Sequence, residues 1–151
     1  MRIVHLVVSS AIFVGCNLGM NRTVDDFTKF EDFKTPPDRS IISNGAVLLR
    51  WTYADGKVNV GIIHKNNSNK IHQINVGFQL SDKEPGYVGL MMLGEIAKIA
   101  SDEELDTKEV IMWAMENKDK INASRRFGNI NVSVQDPVVI RGTAWTVFNV
   151  F

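Results

Sequence analysis

The chain has 151 residues, of which 44% are hydrophobic and 23% are charged. This length and composition are those of one globular domain and exclude a largely disordered chain. Lysine and arginine together number 17, and so do aspartate and glutamate, so the chain lacks the basic excess of a typical nucleic-acid-binding protein. The single cysteine, Cys16, has no second cysteine with which to form an internal disulfide.

An apolar segment opens the chain. Arg2 precedes a hydrophobic run over residues 3–14. This run has the length of the hydrophobic part of a secretory signal and is shorter than the roughly 20 residues that a membrane-spanning helix needs. Residues 13–16 (FVGC) and the run before them resemble the signal of bacterial lipoproteins, which is cleaved before a cysteine that then receives lipid. The resemblance implies that residues 1–15 are a signal segment and that a lipid on Cys16 anchors the protein to a membrane.

Two other interpretations of this segment stay open. It is also consistent with an ordinary secretory signal that carries no lipid. Alternatively, residues 3–8 are a buried first β-strand and Cys16 is a thiol of the core, since free cysteine is among the most buried residue types. The second alternative keeps the protein in the cytoplasm and makes an enzyme, or a subunit of one, the competing function.

Residues 16–40 are predicted to be a linker between the signal segment and the domain. The stretch contains Pro36-Pro37, many charges and no regular alternation of apolar and polar residues. The exception is a set of phenylalanines spaced by three residues: Phe27, Phe30 and Phe33. Three exposed phenylalanines would form an apolar patch, so the spacing favours a short helix over residues 24–34 that docks on the domain. Residues 41–151 are predicted to be that single domain.

The domain begins with a predicted hairpin. Beyond the linker, apolar residues alternate with polar ones, as in a strand with one buried face. Asp55-Gly56 interrupts the alternation, and this dipeptide favours a two-residue type I′ turn, because both central residues of that turn need a positive φ. A two-residue loop at this point pairs Trp51 with Val60 and Leu49 with Ile62.

A third strand is predicted over residues 71–80. Opposing Ile62 to Ile74 puts the apolar residues of neighbouring strands on one face. The same register sets His64 opposite His72, and this pair is the candidate ligand or metal site of the strands, because facing imidazoles can bind a metal ion or exchange a proton. Two imidazoles alone are an incomplete metal site, so no metal or other cofactor is predicted. Repulsion between their charges predicts a lowered pKa for at least one of them.

Two helices follow the strands. Residues 87–100 show apolar residues at helical spacing. Asp106, with Glu109 three residues later, has the spacing of a capping box and predicts the start of a second helix that ends near residue 121. Arg125-Arg126 follows this helix and is a candidate contact for an anion.

The chain closes with β-structure over residues 130–134 and 138–151, the second of these interrupted at Gly142. The order β-β-β-α-α-β-β predicts an α+β fold, in which an antiparallel sheet of about five strands carries both helices on its apolar face. The predicted core consists of Leu49, Trp51, Val60, Ile62, Leu93, Ile96, Val110, Trp113, Val132 and Val134.

The sequence contains no nucleophile elbow, no phosphate-binding glycine loop and no HExxH zinc motif. Together with the segment that resembles a lipoprotein signal, this favours a non-catalytic protein of the cell envelope or periplasm. Its domain is predicted to bind another protein or a small ligand, and its membrane contact is the lipid anchor at Cys16. No cofactor and no nucleic-acid partner are predicted.

Overall fold

The computed structural model describes residues 19–80 and 83–151, so the predicted signal segment and Cys16 lie outside the described residues. Within these two ranges the chain forms one antiparallel sheet and two main helices, which confirms the predicted α+β class. The sheet has eight strands rather than about five.

The strands are β1 (Asp38–Ile41), β2 (Val47–Tyr53), β3 (Val58–His64), β4 (Ile71–Gln79), β5 (Ser124–Phe127), β6 (Ile130–Val134), β7 (Val138–Ile140) and β8 (Thr143–Val150). The helices are α1 (Val24–Thr28), α2 (Lys83–Ala100) and α3 (Thr107–Asn117), with a 3₁₀ turn at Glu31–Phe33 after α1. The strand order is β1-β2-β3-β4-β8-β6-β5, and β7 pairs with β8. The strand β8 therefore lies between β4, which is far from it in sequence, and β6, from which only β7 separates it.

Three strands were missing from the sequence-based prediction, and each has a local reason. The strands β1 and β5 are the edges of the sheet and are mostly exposed, so they show no apolar alternation. The predicted interruption at Gly142 is a hairpin turn that separates β7 from β8. Arg141 and Gly142 have positive φ angles of 50° and 78°, as the two central residues of a type I′ turn require.

The register predicted for β2, β3 and β4 is confirmed. Trp51 pairs with Val60, and Ile62 pairs with Ile74. The turn between β2 and β3 covers residues 54–57, and the φ angles of its first three residues are 50°, 55° and 81°. The loop includes one residue more on each side than predicted, which leaves the register unchanged.

Helices α2 and α3 pack on the face of the sheet that carries these apolar pairs. Gly89 of α2 lies against Phe78 of β4. Trp113 of α3 meets Phe148 of β8 edge-on, with ring centroids 6.4 Å apart. All predicted core residues are buried except Trp113, which is half-buried.

The helix ends differ from the prediction by a few residues. The helix α2 begins at Lys83, and α3 ends at Asn117 rather than near residue 121. Asp106 is the N-cap of α3, and its carboxylate accepts a hydrogen bond from the backbone N–H of Lys108 at 2.9 Å. The side chain of Asn117 donates to the carbonyl of Trp113 at 2.7 Å, which satisfies one of the free carbonyls at the end of the helix.

The segment predicted as a linker packs on the domain from Met20 onward. Met20, Phe27 and Phe33 are buried. The ring of Phe33 meets Trp51 edge-on at a centroid distance of 5.3 Å, and β1 pairs with β2. Burial of these side chains stabilises the segment against the domain. In place of the predicted single helix over residues 24–34, the segment forms α1 and a separate 3₁₀ turn, and Phe30 is exposed and not docked.

Arg22 fixes the start of the described chain beside the end of α2. Its guanidinium donates to the carbonyls of Ile99 and Ser101, at 2.8 and 2.9 Å, and to Asp102 Oδ1 at 2.6 Å. A cation at the C-terminal end of a helix is favourable because the helix dipole is negative there. The side-chain amide of Asn129 also donates to the carbonyl of Gly19 at 3.3 Å.

Candidate functional site

The face of the sheet opposite the helices is the candidate site. The other face is the one that packs against the helical segments. Its contacts with them include those made by Phe33, Phe78 and Phe148. We call the opposite face the amide face. It is the side of β2, β3, β4, β8 and β6 that carries residues alternating with the core. Among the described residues, no helix packs on it.

One row of paired residues crosses the whole amide face. It runs through Asp38, Arg50, Gly61, Asn75, Asn149, Ser133 and Ser124, each directly opposite the next on the neighbouring strand. Directly opposed Cβ atoms lie about 4.5–5.5 Å apart, so neighbouring side chains of this row touch. The charged members lie at one end, and the interior of the row is polar and uncharged.

At the centre of the row, Asn75 and Asn149 form a cluster of amide side chains with Gln73, which lies two residues before Asn75 on β4. Gln73 donates from Nε2 to Asn75 Oδ1 at 2.7 Å and to Asn149 Oδ1 at 3.2 Å. Asn75 and Asn149 are buried, and Gln73 is half-buried. Because buried amides need hydrogen bonds, this arrangement holds both asparagine oxygens toward Gln73. The cluster therefore has a fixed orientation before any ligand arrives.

Two glycines interrupt the middle strands on this face. Gly61 lies between Arg50 and Asn75 in the row, and a Cβ there would be 3.0 Å from Leu48 Cδ1. Gly77 lies opposite Val147 on β8. Glycine in a strand often marks a close approach, and at Gly61 it is the side chain of Leu48 that takes the space a Cβ would fill.

Apolar side chains border the polar row. Ile63, Trp145 and Val147 are buried but stand apart from the cluster that fills the space under the helices. The combination of a few oriented polar groups with an apolar border is the usual composition of a small-molecule site.

Two polar atoms at this face lack a hydrogen-bond partner within the described part of the chain. One is Arg50 Nε, in the row itself, and the other is Oε1 of Gln135, which follows β6 and donates its backbone N–H to Val147. Both atoms are buried. Leaving a buried polar atom unpaired costs about 1–3 kcal/mol.

The structure separates the predicted histidine pair. The pairing of β3 with β4 shifts between Ile63 and His64, so His64 lies opposite Ile71 and not opposite His72. The extra residue of this bulge is the exposed His72, while Ile71 is buried in the core. Burial of an isoleucine side chain accounts for the shift. The prediction that the two histidines face each other was wrong.

The two histidines also have different surroundings. His64 is buried, and its Nδ1 lies 2.7 Å from the carbonyl oxygen of Lys65 and 2.8 Å from that of Ser68. Because both oxygens can only accept, Nδ1 is the hydrogen-bond donor. Partial burial lowers the pKa of His72 below its ordinary value of 6.5, and the charges of Lys65 and Lys70 lower it further. The lowered pKa was predicted from repulsion by His64, so its cause differs.

We expect His72 to titrate below pH 6.5 and to make stability depend on pH. The folded protein holds this proton less tightly than the unfolded chain does. The free energy of unfolding should therefore fall as the pH drops from 6.5 through the pKa of His72. NMR titration of the imidazole signals and urea unfolding across this range measure both effects, and His72→Gln should flatten the pH dependence. A His72 pKa above 6.5 would contradict the expectation.

The two arginines that were predicted to contact an anion point to different sides of their strand. Arg125 and Arg126 lie in the edge strand β5, so their side chains alternate between its faces. The guanidinium of Arg125 lies over the ring of Phe127, 4.8 Å from its centroid, and 3.9 Å from the carboxylate of Glu109. Arg126 donates to the carbonyl of Gly128 at 2.8 Å. The structure therefore gives each arginine a partner of its own and does not bring the two together.

No group of three histidine, cysteine, aspartate or glutamate side chains that could hold a metal ion occurs within residues 19–80 and 83–151. In the same ranges, no helix has the length and apolar character to cross a membrane. Comparison with protein-family models, with curated proteins and with solved structures finds no match to this chain.

Proposed function

We propose that this chain is a non-catalytic protein of the cell envelope, anchored through Cys16, whose amide face binds an uncharged small ligand. The observation that carries the binding part of the proposal is the polar row, with its cluster of Gln73, Asn75 and Asn149. The anchor is supported by the resemblance of residues 13–16 to the lipoprotein signal.

The chemistry of the row favours binding over catalysis. Each amide offers two donors and an acceptor, and each serine hydroxyl offers one donor and two acceptors. The interior members Gly61, Asn75, Asn149 and Ser133 have no group that gains or loses a proton near neutral pH. Such a surface matches a ligand with many neutral hydroxyl groups, and an uncharged sugar is the chemical class that fits best.

The ligand part is tested by NMR titration of the protein with a panel of uncharged oligosaccharides. We expect the side-chain NH₂ signals of Gln73, Asn75 and Asn149 to shift. The signal of Asn117, at the end of α3, is the internal control and should stay in place. Gln73→Met keeps the length of the side chain and removes its hydrogen bonds, so it should weaken binding about tenfold, equivalent to about 1.4 kcal/mol. Shifts confined to the helices would contradict the proposed site.

The anchor is tested by the intact mass of the native protein. We expect the loss of residues 1–15 and a gain of lipid mass at Cys16. Cys16→Ser should abolish the gain and release the protein from the membrane fraction. An unmodified full-length chain in the soluble fraction would remove the envelope proposal and favour the cytoplasmic alternative.

A further inference from the structure

The two main helices carry large apolar side chains on their solvent side. On α2 these are Tyr87 and Met91, four residues apart and 67% and 42% exposed. On α3 they are Met112 and Met115, three residues apart and 60% and 54% exposed. Residues three or four apart share one side of a helix. We call these four side chains the methionine face.

The two helices are close enough for these sides to form one surface. Gly94 of α2 lies against Ile111 of α3, and a Cβ at Gly94 would be only 2.9 Å from Ile111 Cδ1. Helix α2 packs on β3 and β4, and α3 meets the same face of the sheet through the contact of Trp113 with Phe148, so the solvent sides of both helices point away from that face. Methionine is flexible and polarisable, and it is common on surfaces that must fit an irregular partner.

The attachment of the N-terminal segment limits how far a lipid at Cys16 can be from the helices. Gly19 and Arg22 are held beside the loop that joins α2 to α3. Gly19 is three positions after Cys16, which is at most about 11 Å of extended chain. From the start of α3, Met112 lies about 8 Å along the helix, because each residue adds about 1.5 Å.

We propose that the methionine face rests on the lipid surface to which Cys16 is anchored. This inference depends on the anchor of the proposed function and names its membrane contact. The short connection holds the domain against the membrane at the end where α2 and α3 meet, so a face of these helices can reach it. Tyrosine is suited to the surface of a membrane because its ring is apolar while its hydroxyl stays in contact with water.

The charge on these helices indicates what drives the contact. Exposed residues on the solvent side of α2 carry both signs, as Glu95 and Lys98 do, and the loop between α2 and α3 exposes four carboxylates within residues 102–106. These charges give no net attraction to an anionic surface, and the carboxylates are repelled by one. The contact should therefore depend on the anchor and on apolar side chains, and a single weak membrane signal gives only marginal binding without a second one.

The test uses the chain from Cys16 onward, which is the form that the proposed cleavage leaves, and joins it to vesicles through Cys16, its single cysteine, by means of a maleimide-bearing lipid. This chemical anchor does not need lipidation in a cell, so its result is separate from that of the mass measurement. The protein carries ¹³C-labelled methionine methyl groups, and the vesicles contain a nitroxide-labelled lipid. We expect a selective loss of signal intensity at Met112, Met115 and Met91, with Met92, which is buried on the same helix, as the internal control.

Three comparisons make the result decisive. The loss should be at least as large in neutral vesicles as in partly anionic ones, and it should be small when the same protein is not coupled. The double variant Met112→Gln, Met115→Gln should reduce the loss at Met91 while leaving the chain coupled. Unchanged intensity at Met112 and Met115 in the coupled protein, or an equal loss at the buried Met92, would overturn the proposal.

Discussion

Replacing Phe27 with alanine is expected to lower the free energy of unfolding by about 3–5 kcal/mol. Phe27 is 0% exposed and meets Phe33 edge-on at a centroid distance of 5.8 Å, and Phe33 in turn packs on Trp51. The substitution therefore leaves a cavity between α1 and the sheet. In a flexible linker the same change would have almost no effect on stability.

The matched control is Phe30→Ala, in the same segment. Phe30 is 42% exposed, so its loss should change the free energy of unfolding by less than about 0.5 kcal/mol. Urea unfolding followed by tryptophan fluorescence measures both variants. Equal effects at the two positions would mean that the segment before β1 does not pack as described.

The second large effect is expected at Gly89. A Cβ at this position would lie 2.6 Å from Phe78 Cγ and in still closer contact with Phe78 Cδ1. Alanine is a better helix former than glycine by about 1 kcal/mol, which alone would stabilise α2. Overpacking in a well-packed core costs about 1–3 kcal/mol or more, so we expect Gly89→Ala to be destabilising on balance.

Gly86→Ala, one turn earlier in α2, is expected to have the opposite effect on the free energy of unfolding. The nearest atom to a Cβ at Gly86 is Phe78 Cε2, at 4.0 Å, which is ordinary contact. This substitution should stabilise the protein by about 0.4–1 kcal/mol, because it restricts the unfolded chain without a clash. Thermal and urea unfolding of the two variants compare them directly. If both changes stabilise, α2 does not lie on Phe78 as the structure has it.

The sequence predicted the part of the fold whose evidence is local. Alternation around Asp55-Gly56 was enough to give the register of β2 with β3, because only one face of each strand is apolar. The match of Ile62 with Ile74 extended that register to β4. The pattern did not reveal the bulge that follows, because a bulge adds one residue without changing the apolar pairs beside it.

The amide face could not be predicted in the same way. Asn75 and Asn149 become neighbours only because β8 pairs with β4, and Asn149 meets Ser133 only because β8 also pairs with β6. Such pairings between distant strands depend on packing of the whole sheet and leave no short-range pattern. The sequence did indicate which residues could lie on this face, because polar residues alternate with the apolar ones of each strand.

The central position of β8 also bears on how the protein is made. The two groups of strands, β1 to β4 and β5 with β6, are connected in the sheet only through β8, which follows both in sequence. On a ribosome the two groups stay unjoined until Val150 has emerged, so the complete sheet forms after synthesis of β8 and not during it. Contacts between such distant segments also form slowly. Until β8 is available, the two groups of described strands remain separate parts of an incomplete sheet.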